Sequence, residues 1–585
     1  MGRDPDDATS KYVRKKAYCS VCGVFRVPLL SLAGVCAFLC VGYLVVSAVK
    51  LIFAPTPSLQ LHGDLAQFTP WRPATGSFFR QPTSSSDLQT HGFNQRLSDS
   101  LSLDRPTPDM RPRGCSSVEY PPLNELPATS VIFVFCDELL STLLRSIHSV
   151  LNRSPPELLH EIILVNDGSK QLNLTALEQN IKQLPAKVTL LHHDKQRGLV
   201  QARLTGARAA TGQTITVLDS HIEVQKGWLE PLMKRISDDH RNVVVPHIRS
   251  IDARSFKHLP GGIEVCGVLL QMVEHSINLQ QIHAKQQSNP RVDPQPTPVM
   301  AGGLFSFDRE FFFELGGYDE EMGFWGAENI EISFRIWMCG GRLELVPCSN
   351  VYHLFRAGGR PYSVPWSDVV KNKQRVIDVW MDGHEEDHQY AEVARRFANT
   401  HLSESERGPT HTMVELRDRL QCKSFQWFLD NVYPENYFTL FLNAHATGSL
   451  FHKPSKSCLL GFPPAYNSKA SIKRSATAPG CATTGEFMLT KDGQLRDATN
   501  NDVCLAAKGS RIFSSICAWA DHSDHWYWEP LQPSVTKTNH YTAQLKSRST
   551  GLCLFADGAA LSLANCASDD SQHWVFGDKQ TVSGG

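Results

Sequence analysis

At 585 residues the chain is too long for one hydrophobic core, so two or more folded domains are expected. Its formal net charge of −1 offers no cationic excess for a nucleic-acid groove, so nucleic acid is not expected as a partner. Of its 16 cysteines, those from Cys115 to Cys566 are spread along the chain, which suits an oxidising compartment rather than the cytosol.

Val27–Val49 is a run of 23 residues without a charge, long enough to cross a hydrocarbon core of about 30 Å. Lys11, Arg14, Lys15, Lys16 and Arg26 precede it, so residues 1–26 are expected to be a cytoplasmic tail, 27–49 a transmembrane anchor, and everything after Val49 lumenal. A cleaved signal peptide is the alternative, but the run is long for one and no small-residue cleavage pattern stands out. Asn173 and Asn152 head glycosylation sequons that suit a lumen, although Pro155 disfavours use of the second. Residues 50–114, rich in Pro, Ser, Thr and Gln without lasting periodicity, read as an extended, poorly ordered stem.

From Thr129 the pattern changes. Val131–Phe135 reads as a buried strand, and Leu140, Leu143, Leu144, Ile147 and Leu151 then recur at helical spacing. Further strands are expected at Ile162–Val165, Val188–Leu191 and Thr214–Leu218, with helices between them. This alternation argues an α/β fold with a parallel, doubly wound sheet. Ligands bind at the carboxyl ends of such strands, where Asp167 and Asp219 sit. Mainly helical segments are expected to follow to residue 445, with short strands at Leu304–Phe307 and Leu343–Val346.

Residues 446–585 differ. Cys458-Leu459, Cys504-Leu505 and Cys553-Leu554 recur 46 and 49 residues apart. Cys517 and Cys566 each follow 13 residues after their predecessor, and Cys481 is the looser partner in the first unit. Three β-rich repeats with one disulfide each, Cys458–Cys481, Cys504–Cys517 and Cys553–Cys566, can share a core that none could bury alone. Trp526 and Trp574 are expected to pack in that core, with Phe487 in the corresponding place of the first unit.

Four segments carry chemistry. In Leu218-Asp219-Ser220-His221 a carboxylate and an imidazole two residues apart at a strand end point the same way and can hold a Mn2+-like cation. His353 is the third candidate ligand. Trp325 and Glu328, in a small-residue segment opening a helix at Ile330, can stack on a sugar and bond its hydroxyls. Met300-Ala301-Gly302-Gly303 is a glycine-rich turn before a strand.

These segments, with Val150–Pro156, Glu161–Val165, Gly227–Pro231, Met300–Ser306 and Trp325–Gly341, resemble the polypeptide N-acetylgalactosaminyltransferases, which start mucin-type O-glycosylation in the Golgi. The resemblance covers roughly residues 115–580. It implies a GT-A (Rossmann-like nucleotide-sugar) domain over 115–445 and a ricin-type β-trefoil lectin domain over 446–585. It also implies a single-pass type II Golgi membrane protein that transfers GalNAc from UDP-GalNAc to Ser or Thr of polypeptides with retention of configuration. By the same resemblance Asp219, His221 and His353 hold Mn2+, and Asp167 and Arg203 contact the UDP part of the donor. Gly302, Gly303, Trp325 and Glu328 shape the sugar and the reaction centre, and Arg356 and Tyr362 belong to a loop that closes over the donor. Disulfides Cys115–Cys348 and Cys339–Cys422 are implied too, leaving Cys136 and Cys266 free.

Several positions depart from the family pattern. Cys136-Asp137 replaces His-Asn at the end of the first strand. Gln196-Arg197 precedes Gly198, which shifts or removes a donor-contacting arginine. Ala327 replaces a glycine, and the closing loop has an extra residue near Gly358. Ile263, Val265 and Met272 stand where acceptor-cradling aromatics are expected. Leu460, Ala506 and Phe555 stand where sugar-binding aspartates follow Cys-Leu. An active transferase with altered acceptor preference, a catalytically impaired binding partner, and an adhesion lectin are the three readings. Intact metal ligands and Glu328 favour the first.

Overall fold

The structure is a computed structural model, and it describes residues 90–585 except 186, 279–288, 359–362, 463–469, 472–476, 480–484, 500–502, 518–526, 536–540, 558–559 and 578–585. The tail, the anchor 27–49, most of the stem, Tyr362, Cys481 and Trp526 lie outside the described residues. Among the described residues no helix is long and apolar enough to cross a membrane.

Four strands run parallel in the order β3-β2-β1-β4: β1 (Thr129–Phe135), β2 (Leu159–Asp167), β3 (Val188–His193) and β4 (Thr214–Asp219). Side chains along β1 alternate between two cores. Val131, Phe133 and Phe135 pack with Leu143, Leu144 and Ile147 of the helix Leu140–Arg153. Ile132 packs on the opposite face with Val200, Leu204 and Ala207 of the helix Leu199–Ala209. The period of two in the strand and of 3.6 in the helices thus produces the layers.

Beyond β4 the parallel, mainly helical expectation fails. The chain continues with β5 (Ile222–Val224), β6 (Asn242–Ile251), a separate hairpin of β7 (Glu264–Val268) and β8 (Glu274–Asn278), then β9 (Gln295–Pro296), β10 (Phe305–Asp308) and β11 (Arg342–Leu354). The sheet order runs on from β4 through β10, β6 and β11 to β5, with β9 also on β11. β10 is antiparallel to both β4 and β6, so the sheet is mixed. The reason is the glycine turn: it enters β10 at the end of the sheet where β4 finishes, so the two strands must run oppositely.

β11 is also longer than the expected Leu343–Val346. It pairs in parallel with β6, shifts register between Val346 and Asn350, and continues beside β5, where His353 pairs with Ile222. Cys348 lies in that irregularity and is bonded to Cys115, and Cys339 is bonded to Cys422. Cys136 and Cys266 are free thiols.

The stem boundary needs correction as well. Residues 90–114 strap onto the sheet. Phe93 is fully buried with Phe256, Tyr352 and Leu354. Arg105 makes a two-pronged ion pair with the buried Glu223, and Tyr352 donates a hydrogen bond to the Pro108 carbonyl at 2.7 Å. The strap's helix, Gln95–Ser100, is too short to display a period, and the rest is irregular chain bonded to residues more than a hundred positions away.

The C-terminal region begins with β12 (Ala446–His452) and is built of strands throughout. Leu459, Leu505 and Leu554, one from each repeat, are fully buried in a common core with Phe487, Trp528 and Trp574. Disulfides Cys504–Cys517 and Cys553–Cys566 are present, and Cys458 is also disulfide-bonded. The tryptophan equivalent to Trp574 is Trp528 rather than Trp526. Each indole N–H donates at 2.9 Å to the carbonyl of its own repeat's leucine, Leu505 or Leu554.

Candidate active site

All the sequence-predicted site residues that the structure describes line one cavity of about 420 Å3 at the end of the sheet where β2 and β4 finish. β4 delivers Asp219, the turn into β5 delivers His221, and β11 delivers His353 by lying against β5. The three ligand atoms fall within 4.8 Å of one another. His353 Nε2 is 3.0 Å from Asp219 Oδ2, and the two imidazole rings are 4.7 Å apart.

The donor set fits a divalent cation. His221 Nδ1 lies 2.8 Å from Glu138 Oε2; a carboxylate only accepts, so Nδ1 carries the proton and the Nε2 lone pair is left to ligate. Burial depresses the pKa of His353, which favours the uncharged imidazole that a metal ligand requires. Burial acts to raise the pKa of Asp219, but the hydrogen bond from His353 and the nearby Arg203 guanidinium outweigh it and hold the carboxyl below the usual range. A Cβ built on Gly303 would stand 2.3 Å from Asp219 Oδ2, so only a bare backbone can pass there. Gly302, at φ +91°, could not carry a side chain either, because its Cβ would meet Asn329 at 2.6 Å.

Glu138 is the residue that sequence reasoning missed. It is buried and also accepts from Ser220 Oγ at 3.0 Å, Arg356 Nη2 at 2.7 Å and the Leu139 N–H at 3.0 Å. Burial pushes its pKa up, yet Arg356 and His221 prevail and hold it well below the usual carboxylate range. The only sequence signal is its place in the motif that ends the first strand.

The other walls are polar in parts. Glu328 Oε2 accepts the Gly326 N–H at 2.8 Å, and Oε1 lies 3.6 Å from Arg203. Burial raises the pKa of Glu328 against the pull of Arg203. Arg203 also donates to the Tyr318 hydroxyl at 3.2 Å. Trp325 and Phe355 stand at the rim, 41% and 52% exposed. Both oxygens of Asp167 accept from the protein, Oδ1 from the Arg197 N–H and His193, and Oδ2 from the Gly198 N–H. Asp167 therefore shapes the loop through Gly198 as well as facing the cavity.

The departures fall into place unevenly. Gln196 lines the cavity while Arg197 does not. Ala327 has φ 63°, the left-handed region in which its methyl is strained. Val265 and Met272 are core residues, 1% exposed. In the repeats Ala506 is fully buried, and Leu460 and Phe555 are partly buried.

Residues 130–316 match the family described as glycosyl transferase family 2, and residues 287–357 match the N-terminal domain of galactosyltransferase. The chain is 39% identical over 419 residues to polypeptide N-acetylgalactosaminyltransferase 13 of Homo sapiens, covering 71% of this chain and 72% of that one. It is 36% identical over 507 residues to the probable N-acetylgalactosaminyltransferase 9 of Caenorhabditis elegans, covering 84% and 83%. Among solved structures it resembles GalNAc-T7 with UDP, GalNAc and Mn2+, with a TM-score of 0.61 and 30% identity over 84% of this chain and 89% of that one. The α/β region therefore has a GT-A glycosyltransferase fold followed by a β-rich C-terminal region, and the chain belongs to the polypeptide N-acetylgalactosaminyltransferase family.

Proposed function

We propose that the chain is a retaining transferase that moves GalNAc from UDP-GalNAc to Ser or Thr hydroxyls of polypeptides, with Mn2+ as cofactor. The observation that carries this reading is the convergence of Asp219, His221 and His353 beside Gly302 and Gly303 in one cavity. A divalent cation held there would neutralise the diphosphate as it leaves. Arg203 adds fixed positive charge in the same wall, already paired and buried, so it needs no reorganisation. The bare backbone of Gly303 lets the donor approach Asp219 closely. Trp325 offers a face for the sugar, and Glu328 an acceptor for its hydroxyls. In this reading the acceptor attacks from the face that the diphosphate leaves, and the diphosphate helps to deprotonate the acceptor hydroxyl.

In this reading Val27–Val49 is a signal anchor in the Golgi membrane and the residues after it are lumenal. The β-rich region is a ricin-type trefoil whose sugar-binding carboxylates are replaced by Leu460, Ala506 and Phe555.

The test is UDP-GalNAc turnover with Mn2+ on naked and previously glycosylated Ser/Thr peptides. Turnover that disappears in Asp219→Ala supports the proposal. Ala327, strained between Trp325 and Glu328, favours a second reading, a catalytically impaired binding partner. Wild-type protein that binds UDP and Mn2+ yet modifies no peptide would select that second reading.

A further inference from the structure

Arg356 lies just beyond β11, and its guanidinium is held from three sides. Nη2 donates to Glu138 Oε2 at 2.7 Å, Nη1 donates to the carbonyl of His91, and the fork lies over the Phe93 ring, 5.1 Å from its centroid. The next residue is caught too, since the Ala357 N–H donates to the Gly92 carbonyl at 2.7 Å. His91, Gly92 and Phe93 thus clasp the root of the loop that lines the cavity with Phe355, Gly358 and Val364.

The clasp is itself anchored. Phe93 is fully buried and meets Phe256 edge-on at 5.9 Å. The Asn94 N–H donates to the Ala253 carbonyl at 2.8 Å, and Asn94 Nδ2 to that of Arg254 at 3.1 Å. Gly92 turns the chain at φ 75°, a conformation that a β-carbon would strain. On the far side of Arg356, the same Glu138 oxygen that accepts from Arg356 also accepts from His221.

We propose that His91–Phe93, well ahead of the first strand of the sheet, is a positioning element of the donor site. It holds the Arg356 fork on Glu138, and Glu138 holds His221 with its ligating nitrogen turned to the cation. An arginine with one acceptor can swing about that bond. The second acceptor, supplied by the His91 carbonyl, removes that freedom because the guanidinium is planar and its donors are fixed in direction. The inference rests on the reading of this cavity as a metal and UDP-sugar site.

The experiment measures UDP binding at graded Mn2+ concentrations by calorimetry, on full-length wild type, Gly92→Ala, Phe93→Leu, Arg356→Lys and the Gly92→Ala/Arg356→Lys double variant. Thermal unfolding identifies the folded proteins. Gly92→Ala and Phe93→Leu are expected to weaken Mn2+-dependent UDP binding by about tenfold or more, as loss of a partner behind a metal ligand does. Adding Gly92→Ala to Arg356→Lys is expected to cost less than the product of the separate losses, because both break one chain of contacts. Arg356→Lys keeps the charge but cannot bridge both acceptors, a difference that a merely structural role for the segment would not register. Folded Gly92→Ala protein that binds UDP like wild type overturns the inference, and so do losses that multiply fully. If Phe93→Leu does not fold, Gly92→Ala decides alone. Wild type that binds no UDP with Mn2+ overturns the donor-site reading itself, and the inference with it.

Discussion

The α/β region and the C-terminal repeats were both recognisable as parts of one family pattern, but they keep different things. Around the cavity, Glu138, Arg203 and Glu328 are almost wholly buried and each is matched by an opposite charge or an N–H donor. A buried charge costs several kcal/mol unless it is paired, so such a cluster signals a use beyond packing. In the repeats the positions after each Cys-Leu pair hold Leu460, Ala506 and Phe555, and the indole N–H groups of Trp528 and Trp574 serve the core. The repeats hold buried charge as well, Arg496 and Asp497, but each is bonded within its own core rather than facing a cavity with metal-ligating side chains.

The largest effect expected from this contrast is on catalysis. His353→Ala should lower peptide transfer on the order of a thousandfold without unfolding the chain. Phe555→Ala in the third repeat should leave transfer to naked peptides within about twofold, because nothing places it in the donor site. Steady-state kinetics on both variants checks this; a comparable loss in both would erase the distinction between the regions.

Acid should weaken the α/β region next. Burial lowers the pKa of His148 and of His247 to about 4. The unfolded chain, with histidines near their ordinary value, then binds more protons between pH 6.5 and 4. Stability is fully present above pH 6.5 and is lost as pH falls towards 4, by roughly 3 kcal/mol per histidine. Denaturant unfolding across that range measures the slope, and His148→Gln should make it shallower. A slope unchanged by that substitution would remove His148 from the account.

Glu138→Gln should follow, with Mn2+ affinity falling about 10- to 100-fold and much of the activity returning at high Mn2+. Activity measured against Mn2+ concentration checks it; a loss that no Mn2+ concentration repairs would mean that Glu138 does not act through His221. Smallest is Ala327→Gly, expected to stabilise the fold by about 1 kcal/mol by relieving the left-handed alanine. A thermal midpoint that falls instead would show that the strain lies elsewhere.

What the sequence disclosed follows how locally each feature is encoded. Asp219 and His221 are legible together because they share one strand end. His353 is legible as a candidate, but only the family resemblance joins it to the other two, since its approach to His221 depends on the pairing of β11 with β5 past an irregularity at Cys348. Glu138 escaped because its partners Ser220, His221 and Arg356 come from other parts of the chain. The strap 90–114 escaped because its helix, Gln95–Ser100, is too short to show a period and the rest is irregular chain bonded to distant residues. The shared His-Trp dipeptide points to Trp526, two residues short of Trp528, because the second repeat places its core tryptophan 24 residues after its first cysteine and the third only 21.

A direct count of bound Mn2+ probes the heart of this account. Electron paramagnetic resonance of the full chain titrated with Mn2+ in the presence of UDP should show one tight site per chain, absent in Asp219→Ala and in His353→Ala. The same tight site persisting in both folded variants would contradict it.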